Sequence, residues 1–373
     1  MTFRFALLSL TVALVGLATS ARAQDDGSRS QVSFEPGKGV NFGTEDGRFG
    51  LGVSALFQVW GTLTDEQDAF GDRELSVGAE IRRAWFMVTG HAFGEHNRLV
   101  VQFGQASVPT GVFDEGPGFR LVDAFAEFTQ LRDLEFRAGL MLLPFLREWV
   151  TPAANLAAPE RSAAARRWHL GRRFGVALGS QDFLGLGRIR YRLGAFLGEF
   201  RAASPAAVGV MARVDTTLLG DPDLTLATDL ARSPSPRLVL GGAFAYLVNE
   251  DSVAGFDDAQ DAQQATVDLL FRIHGLSLEG AFMWRGGDSG TFLGGTAMAT
   301  YMLPVVDVGV AFRYAFSDIP FFAASGSEQE FTGSVNYFVA GLDAFKLQLA
   351  FSAFVPDEGE TRYVGTVAVQ AQL

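Results

Sequence analysis

From Arg48 to the C-terminus the chain repeats one pattern, in which apolar residues alternate with polar or small ones in runs of roughly ten, broken by turn-forming residues. Phe345-Lys346-Leu347-Gln348-Leu349-Ala350-Phe351-Ser352-Ala353 is one such run, and Val306-Asp307-Val308-Gly309-Val310-Ala311-Phe312-Arg313-Tyr314 is another. The pattern recurs in Val267–Ile273 and in Ile189–Leu193. A period of two gives each segment one greasy and one wet face, which is strand geometry. Alternation alone suits a soluble sandwich as well as a membrane barrel. Two features favour the barrel. The wet faces carry single charges in mid-strand (Asp268, Arg272, Glu279, Asp307, Arg313, Lys346), which a water-filled interior tolerates. The repeating unit is also strand, short turn, strand, longer loop, an asymmetry typical of outer-membrane barrels.

Hydrophobicity points the same way. The chain is 48% hydrophobic, yet beyond its first residues no stretch approaches the ~20 apolar residues of a membrane helix. A barrel wall reconciles the two, because every second residue faces lipid. The 34 phenylalanines and 43 glycines fit strands, aromatic girdles and crowded walls. Trp60, Trp85 and Trp284 are girdle candidates, whereas Trp149 and Trp168 are read as packing a loop.

The expected fold is therefore all-β: a transmembrane antiparallel β-barrel of about 16 strands with a long inward-folded loop. Strands are predicted near 48–62, 76–91, 97–106, 119–129, 133–143, 172–180, 187–198 and 206–217, then near 237–248, 263–274, 276–285, 291–302, 305–316, 328–339, 344–355 and 361–373. The stretch 218–236 is read as one long turn. Segments near 62–75, 107–118, 249–262, 317–327 and 356–360 are expected to be external loops, and 130–132 and 341–343 periplasmic turns.

The N-terminus reads as an export signal. Arg4 precedes the apolar run Phe5–Ala18, and Ala21-Arg22-Ala23 matches a small-residue cleavage site. This predicts a signal peptide at 1–23, a polar periplasmic leader at 24–47 and a barrel at 48–373. The expected setting is the bacterial outer membrane, with its lipid and lipopolysaccharide as surroundings.

Composition removes other classes. There is no cysteine, hence no disulfide or thiolate site, and the net charge of −12 argues against nucleic acid as a partner. The four histidines have no metal-binding spacing, and no nucleophile elbow, P-loop or dinucleotide fingerprint occurs. No catalytic residue, cofactor or metal is expected.

Candidate functional residues are arginines, since lysine occurs only at Lys38 and Lys346. Arg188, Arg190 and Arg192 lie two apart and so share one face, while Ile189, Tyr191 and Leu193 share the other. Lipid would reject three guanidinium groups at ~2–4 kcal/mol each, so they should face the lumen. There they would either form an anion track, to which Arg137 is added, or brace the wall by pairing with Asp123, Glu127 and Glu135. A second group, Arg147, Arg161, Arg166, Arg167, Arg172 and Arg173, lies in the long segment 146–173 against only Glu148 and Glu160. Folded inward, that segment would set the narrowest point of a pore; left outside, it would meet lipopolysaccharide phosphates. Arg82, Arg213, Arg272 and Arg313 read as cross-strand pairs. Arg83 breaks the alternation, which requires either a β-bulge or a side chain reaching a head group.

Several segments resemble the phosphate-selective porin O and P family. They are Glu45-Asp46-Gly47-Arg48-Phe49, Ile81-Arg82-Arg83-Ala84 with Gly90, Leu121–Phe128, Phe136-Arg137-Ala138-Gly139 to Pro144-Phe145, Pro159-Glu160-Arg161-Ser162 and Gly171–Leu178. The resemblance implies a sixteen-stranded trimeric porin that prefers anions and folds its third external loop into the pore. The chain departs from that family in its scarcity of lysine and in ending on Leu373. The expected function is passive diffusion of small hydrophilic solutes with a bias to anions, phosphate among them. Its rivals are a closed structural or adhesive barrel displaying 249–262 and 317–327, and a cation-preferring porin, which the overall acidity would favour.

Overall fold

The computed structural model describes residues 30–67, 71–106, 119–197, 208–220, 224–250, 260–287, 290–319 and 326–373. The predicted signal peptide, the loop 107–118, residues 251–259 of the acidic loop and residues 320–325 lie outside them.

Eighteen strands form one antiparallel sheet. Sixteen of them close into a barrel: β3 (Phe49–Gln67), β4 (Arg73–Ala92), β5 (Asn97–Ala106), β6 (Phe119–Leu131), β7 (Leu134–Leu142), β8 (Arg172–Ser180), β9 (Ile189–Leu197) and β10 (Val208–Leu219), then β11 (Arg237–Glu250), β12 (Gln260–Ile273), β13 (Leu276–Gly287), β14 (Gly290–Met302), β15 (Val308–Ser317), β16 (Glu328–Phe338), β17 (Phe345–Pro356) and β18 (Arg362–Gln372). Each pairs with its neighbour in sequence. The ring closes where β18 meets β3, from Tyr363 opposite Asp65 to Gln372 opposite Leu56. All sixteen coincide with the predicted strands, most of them to within a few residues; β3 runs on to Gln67 and β4 starts at Arg73, so most of the segment 62–75 expected as an external loop is strand, and beyond Leu219 the described part of 218–236 holds no strand.

Burial follows the alternation. On β16 and β17 the outward side chains Phe331, Val335, Leu347, Leu349 and Phe351 are exposed, while Thr332, Ser334, Asn336, Lys346 and Gln348 between them are buried inside. The outer face is the apolar one, so the barrel is inverted relative to a soluble core. Short turns gather at the end that carries the C-terminus, here the turn end. The β12–β13 turn has two residues, His274 and Gly275, both at positive φ (48° and 87°) as a primed hairpin turn requires.

The segment read as a leader contains a hairpin, β1 (Ser30–Glu35) and β2 (Gly39–Thr44). β2 pairs with Val53 to Gly50 of β3, the stretch of β3 that extends past the end of β18. The hairpin turn also touches the last strand, Gly37 N donating to Gln372 O at 3.2 Å.

A β-bulge settles the position of Arg83. Opposite Gln58 and Val59, β4 runs from Arg83 to Ile81 and leaves Arg82 as the extra residue. Arg82 and Arg83 both turn inward and are buried, and the alternation beyond them is reversed. Trp85 therefore faces the lumen rather than a girdle, and so does Trp60, over whose ring Arg82 lies at 4.5 Å. The exposed outer aromatic residues are mainly phenylalanines.

Val367, outward on β18 beside the closing seam, tests this placement. Val367→Arg should destabilise the barrel by about 2–4 kcal/mol if it lies near the middle of the bilayer. Urea unfolding in lipid vesicles measures the cost, and a value near zero would mean that this face meets water.

Candidate functional site

The segment between β7 and β8, residues 143–171, folds into the barrel. It contains the short helices α1 (Arg147–Val150) and α2 (Ala163–Trp168), with a 3-10 turn at Ala153–Asn155. Ser162 caps α2, accepting a hydrogen bond from Ala165 N at 3.0 Å. Leu143, Phe145, Leu146, Ala164, Ala165 and Trp168 are buried against Phe196, Met211, Ala245 and Met283 of the wall. Gly294 leaves space for the Trp168 ring, since a Cβ there would sit 2.7 Å from its Nε1.

Most of the loop backbone has no ladder partner, so buried carbonyls must be satisfied by side chains. The wall supplies them. Lys346 Nζ donates to Leu156 O at 2.9 Å, and Ser334 Oγ and Asn336 Nδ2 donate to Ala157 O at 2.8 and 2.7 Å. Gln370 Nε2 donates to Ala154 O at 2.9 Å, and Gln58 Nε2 to Ala153 O at 3.3 Å. Charge pairs fix the helices. Arg147 donates to Asp268 at 2.6 Å and to Asp215 at 2.7 Å. Glu148 accepts from Ser162 N and Oγ at 2.6 and 2.7 Å and faces Arg313 at 3.4 Å. Glu330, which also pairs with Arg313, accepts from Ala163 N.

A second tether comes from the turn end. The turn between β10 and β11 reaches into the lumen and meets the loop tip: Asn155 Nδ2 donates to Thr225 O at 2.8 Å, and Ala227 N to Asn155 O at 3.2 Å. Ala227 packs with Ala157 and Met298. Asp229 holds this turn in place through Ser233 N and Gly275 N, and Arg232 donates to Leu303 O and Val306 O. The apolar side of the loop packs on β9 to β13 and β15, and the turn packs beside it on Ala157 and Met298.

A cavity of about 400 Å³ lies between residues 149–154, 160, 161 and 166 of the loop and the wall from β3 to β8. It runs along Ser54, Leu56 and Gln372 near the turn end and along Met87, Gln102 and Phe125. Its charged lining consists of Arg83, Arg137, Arg161, Arg166 and Arg172 against Asp123 and Glu160.

The loop arginines divide by role. Arg161, Arg166 and Arg172 border this cavity. Arg161 is fixed by the carbonyls of Glu148 and Thr151 (3.1 and 2.7 Å) and lies over the Trp149 ring at 4.7 Å. Arg172 pairs with Asp123 at 3.1 Å. Arg147 and Arg173 are buried anchors, the latter donating to Leu170 O at 2.9 Å, and Arg167 lies in the last turn of α2, outside the cavity lining. Arg137 lines the cavity and pairs with Glu127. The row on β9 lies lower, toward the turn end. Arg192 is buried and pairs with Glu135 at 3.2 Å, Arg190 stands opposite Asp215, and Arg188 is exposed and donates to Leu218 O at 3.3 Å. Arg213 and Arg313 are engaged in pairs, and Arg272 binds the carbonyl of Leu226.

Glu160 was grouped above only as a counter-charge, but it occupies the centre of the arginine cluster, paired with Arg83 at 2.8 Å and with Arg82. Burial opposes its ionisation, but Arg83 and Arg82 together with Arg166 and Arg161 outweigh that and hold its carboxyl well below the usual range. The sequence carries a signal for the residues that hold the loop: uncharged amides in mid-strand at Gln58, Asn336, Gln348 and Gln370, together with Lys346 already placed on the wet face, mark the face on which the loop backbone lies.

No protein-family model and no curated protein matches the chain, so the resemblance to the phosphate-selective porins rests on the segments quoted for it. Solved structures do match its fold. An anion-selective porin from Comamonas acidovorans superposes with a TM-score of 0.62 at 14% identity, covering 87% of this chain and 100% of that one. The outer-membrane channel DcaP of Acinetobacter baumannii gives 0.56 at 12% identity over 89% and 98% of the two chains. OmpT of Vibrio cholerae lacking loop L8 gives 0.57 at 9% identity over 87% and 100%. The chain has the porin fold, a closed antiparallel sixteen-stranded barrel of the outer-membrane kind.

His169 stacks on Trp149, ring centroids 3.5 Å apart and planes 9° from parallel. Burial first, then Arg173, Arg161 and Arg172, push its pKa down to about 3. A histidine whose folded pKa is depressed contributes stability that is complete above its unfolded value of 6.5 and is lost as pH falls toward 3. Proteolysis of the loop should therefore accelerate between pH 6 and 4, and His169→Phe should remove that acceleration; identical pH profiles for the two proteins would contradict this. Arg147→Met removes one of the two arginines on Asp268, whose side chain is fully buried, and leaves it Arg213 at 2.8 Å. Loss of such a charge-assisted bond with the second partner in place costs about 1.5–3 kcal/mol. The expected readout is faster cleavage within 147–172, and a rate equal to that of the unmodified protein would contradict it.

Proposed function

We propose that this chain is an outer-membrane porin, a passive diffusion channel for small hydrophilic solutes that prefers anions. One observation carries the reading: the space left open by the inward loop is lined by five arginines and two carboxylates. Guanidinium groups stay charged at any working pH and present several donors, so a line of them offers an anion successive shallow sites. The field counts most here because the passage is narrow and its walls are of low permittivity, whereas exposed acidic loops are screened within about 8 Å at physiological ionic strength. The overall charge of −12 therefore does not decide the sign of selectivity.

Arg137, Arg192, Arg190 and Arg188 extend the positive line toward the turn end, with Glu127 and Glu135 partly neutralising it. Phosphate is one anion such a passage would accept. Export through cleavage after Ala23, assembly as a homotrimer and contact with lipopolysaccharide belong to the same reading. The porin superpositions support the channel, and the Comamonas acidovorans match, itself anion-selective, agrees with the preference.

The test is the reversal potential of the purified protein in a planar bilayer under a KCl gradient. It should shift toward the chloride potential. Changing Arg137, Arg166 and Arg172 together to Gln should lower the chloride-to-potassium permeability ratio at least about fourfold, since one unit charge about 5 Å from an ion is worth ~0.8 kcal/mol even at the permittivity of water. The triple change at Arg188, Arg190 and Arg192 should lower it less. A potassium-directed potential in the unmodified protein would reverse the preference, and absence of conductance would indicate a closed structural barrel.

A further inference from the structure

Glu160 is held as a bound anion would be held. Its carboxylate accepts from Arg83 Nη2 through both oxygens, at 2.8 and 3.1 Å, and from Arg82 Nε at 3.1 Å with a further bond from Arg82 Nη2. The Arg82 and Arg83 side chains are only 9% and 6% exposed, whereas that of Glu160 keeps 15% and borders the passage. Such a two-oxygen, two-arginine geometry matches a planar carboxylate, because each guanidinium presents a flat fork of donors. The bulge in β4 makes it possible, since regular alternation would place only one of two consecutive arginines inside. Arg161 adds positive charge beside the site while its own donors are committed to Glu148 O, Trp149 O and Thr151 O.

The two halves of this arrangement have different supports. Arg82 and Arg83 stand on the barrel wall, and Gln58 Oε1 accepts from Arg83 Nη1 at 2.6 Å, fixing its direction. Glu160 belongs to the loop, between Ala157, which the wall holds, and the start of α2. The basic site is thus built into the rigid element, and the acid is delivered to it on a tether. A solute carrying a carboxylate meets donors already arranged for its group, with one competitor present at high effective concentration.

We propose that Arg82 and Arg83, with Arg161 and Arg166 beside them, form a carboxylate-binding site of the passage, occupied at rest by Glu160, and that permeating monocarboxylates exchange with this tethered one. The inference rests on the porin reading and names the class of solute that the passage takes. Exchange leaves the charge of the site unchanged, since one carboxylate replaces another, so it avoids exposing two buried guanidinium groups without a partner.

Single-channel recording with acetate as probe tests the proposal. In Glu160→Ala the vacated site should bind acetate, which then lowers the chloride current in a saturable manner, with at least about tenfold higher apparent affinity than in the unmodified channel. Glu160→Gln fills the space without the charge and should show no such gain. Methanesulfonate and phosphate, which are tetrahedral, should act on Glu160→Ala more weakly than acetate. Retention of heat-modifiable migration on gels shows that each variant is folded, and if Glu160→Ala does not fold, Glu160→Gly takes its place with the same expected gain. Equal acetate sensitivity in the unmodified and vacated channels would overturn the proposal, and so would phosphate acting as well as acetate. The permeability ratio measured in the same membranes reports separately on anion preference, so a cation-selective unmodified channel would refute that preference while the acetate comparison still decides the site.

Discussion

A β-sheet in hydrocarbon can leave no edge unpaired, because every orphaned N–H or C=O would cost several kcal/mol there. The whole molecule depends on how this demand is met, namely by β18 pairing with β3 from Tyr363 to Gln372. Closure turns the apolar faces outward and leaves a polar cavity that must itself be furnished. The first part of β3 extends beyond its partner, and the β1–β2 hairpin covers that length of edge. In this way the chain supplies both the seam and its cover.

Inside the ring the physics changes from lipid exclusion to the satisfaction of polar groups. The loop from residue 143 to 171 is neither helix bundle nor sheet, and its carbonyls would be orphaned without the amides and hydroxyls of the wall. Gln58, Ser334, Asn336 and Gln370 meet that need without adding charge, and Lys346 adds one held by Asp343 at 3.1 Å. Charged anchors then act where two partners surround one group, as Asp215 and Asp268 surround Arg147. The loop packs its apolar side on β9 to β13 and β15, its carbonyls and Glu160 are held by β3, β4 and β16 to β18, and arginines from loop and wall border the cavity.

Strand positions were legible because a period of two, once lipid is on one side, admits only one register per segment. Residues such as Leu347, Leu349 and Phe351 could not face water together. Legibility ended where two residues break the period. Arg83 announced an irregularity, but alternation could not tell a bulge from a reaching side chain, since both satisfy the same spacing. Trp60 and Trp85 read as girdle residues on their type, whereas the bulge at Arg82 brings Trp85 inside and alternation with the buried Gln58 does the same for Trp60. The role of Glu160 was hidden for a related reason. Counting charges along a loop says nothing about which of them meets Arg82 and Arg83, some 77 positions away in the chain. The β10–β11 turn was recognised as a turn, yet its contact with Asn155 depends on both segments entering the lumen, which no local pattern encodes.

Those distances along the chain bear on how the barrel acquires its inner shape. Contacts that hold the inward loop span from 68 residues, between Phe145 and Arg213, to 216 residues, between Ala154 and Gln370 on the last strand. Several of the donors do not stand in their places until the strands that carry them have joined the ring. The space left inside the barrel is therefore a late product of assembly, set in part by Gln58 and Gln370 on the two strands that close the ring. A defect at the seam would loosen Gln58 and Gln370 together, because they bond to each other at 2.6 Å across it as well as to the loop. Mechanical integrity of the wall and the calibre of the opening are thus a single property of this fold.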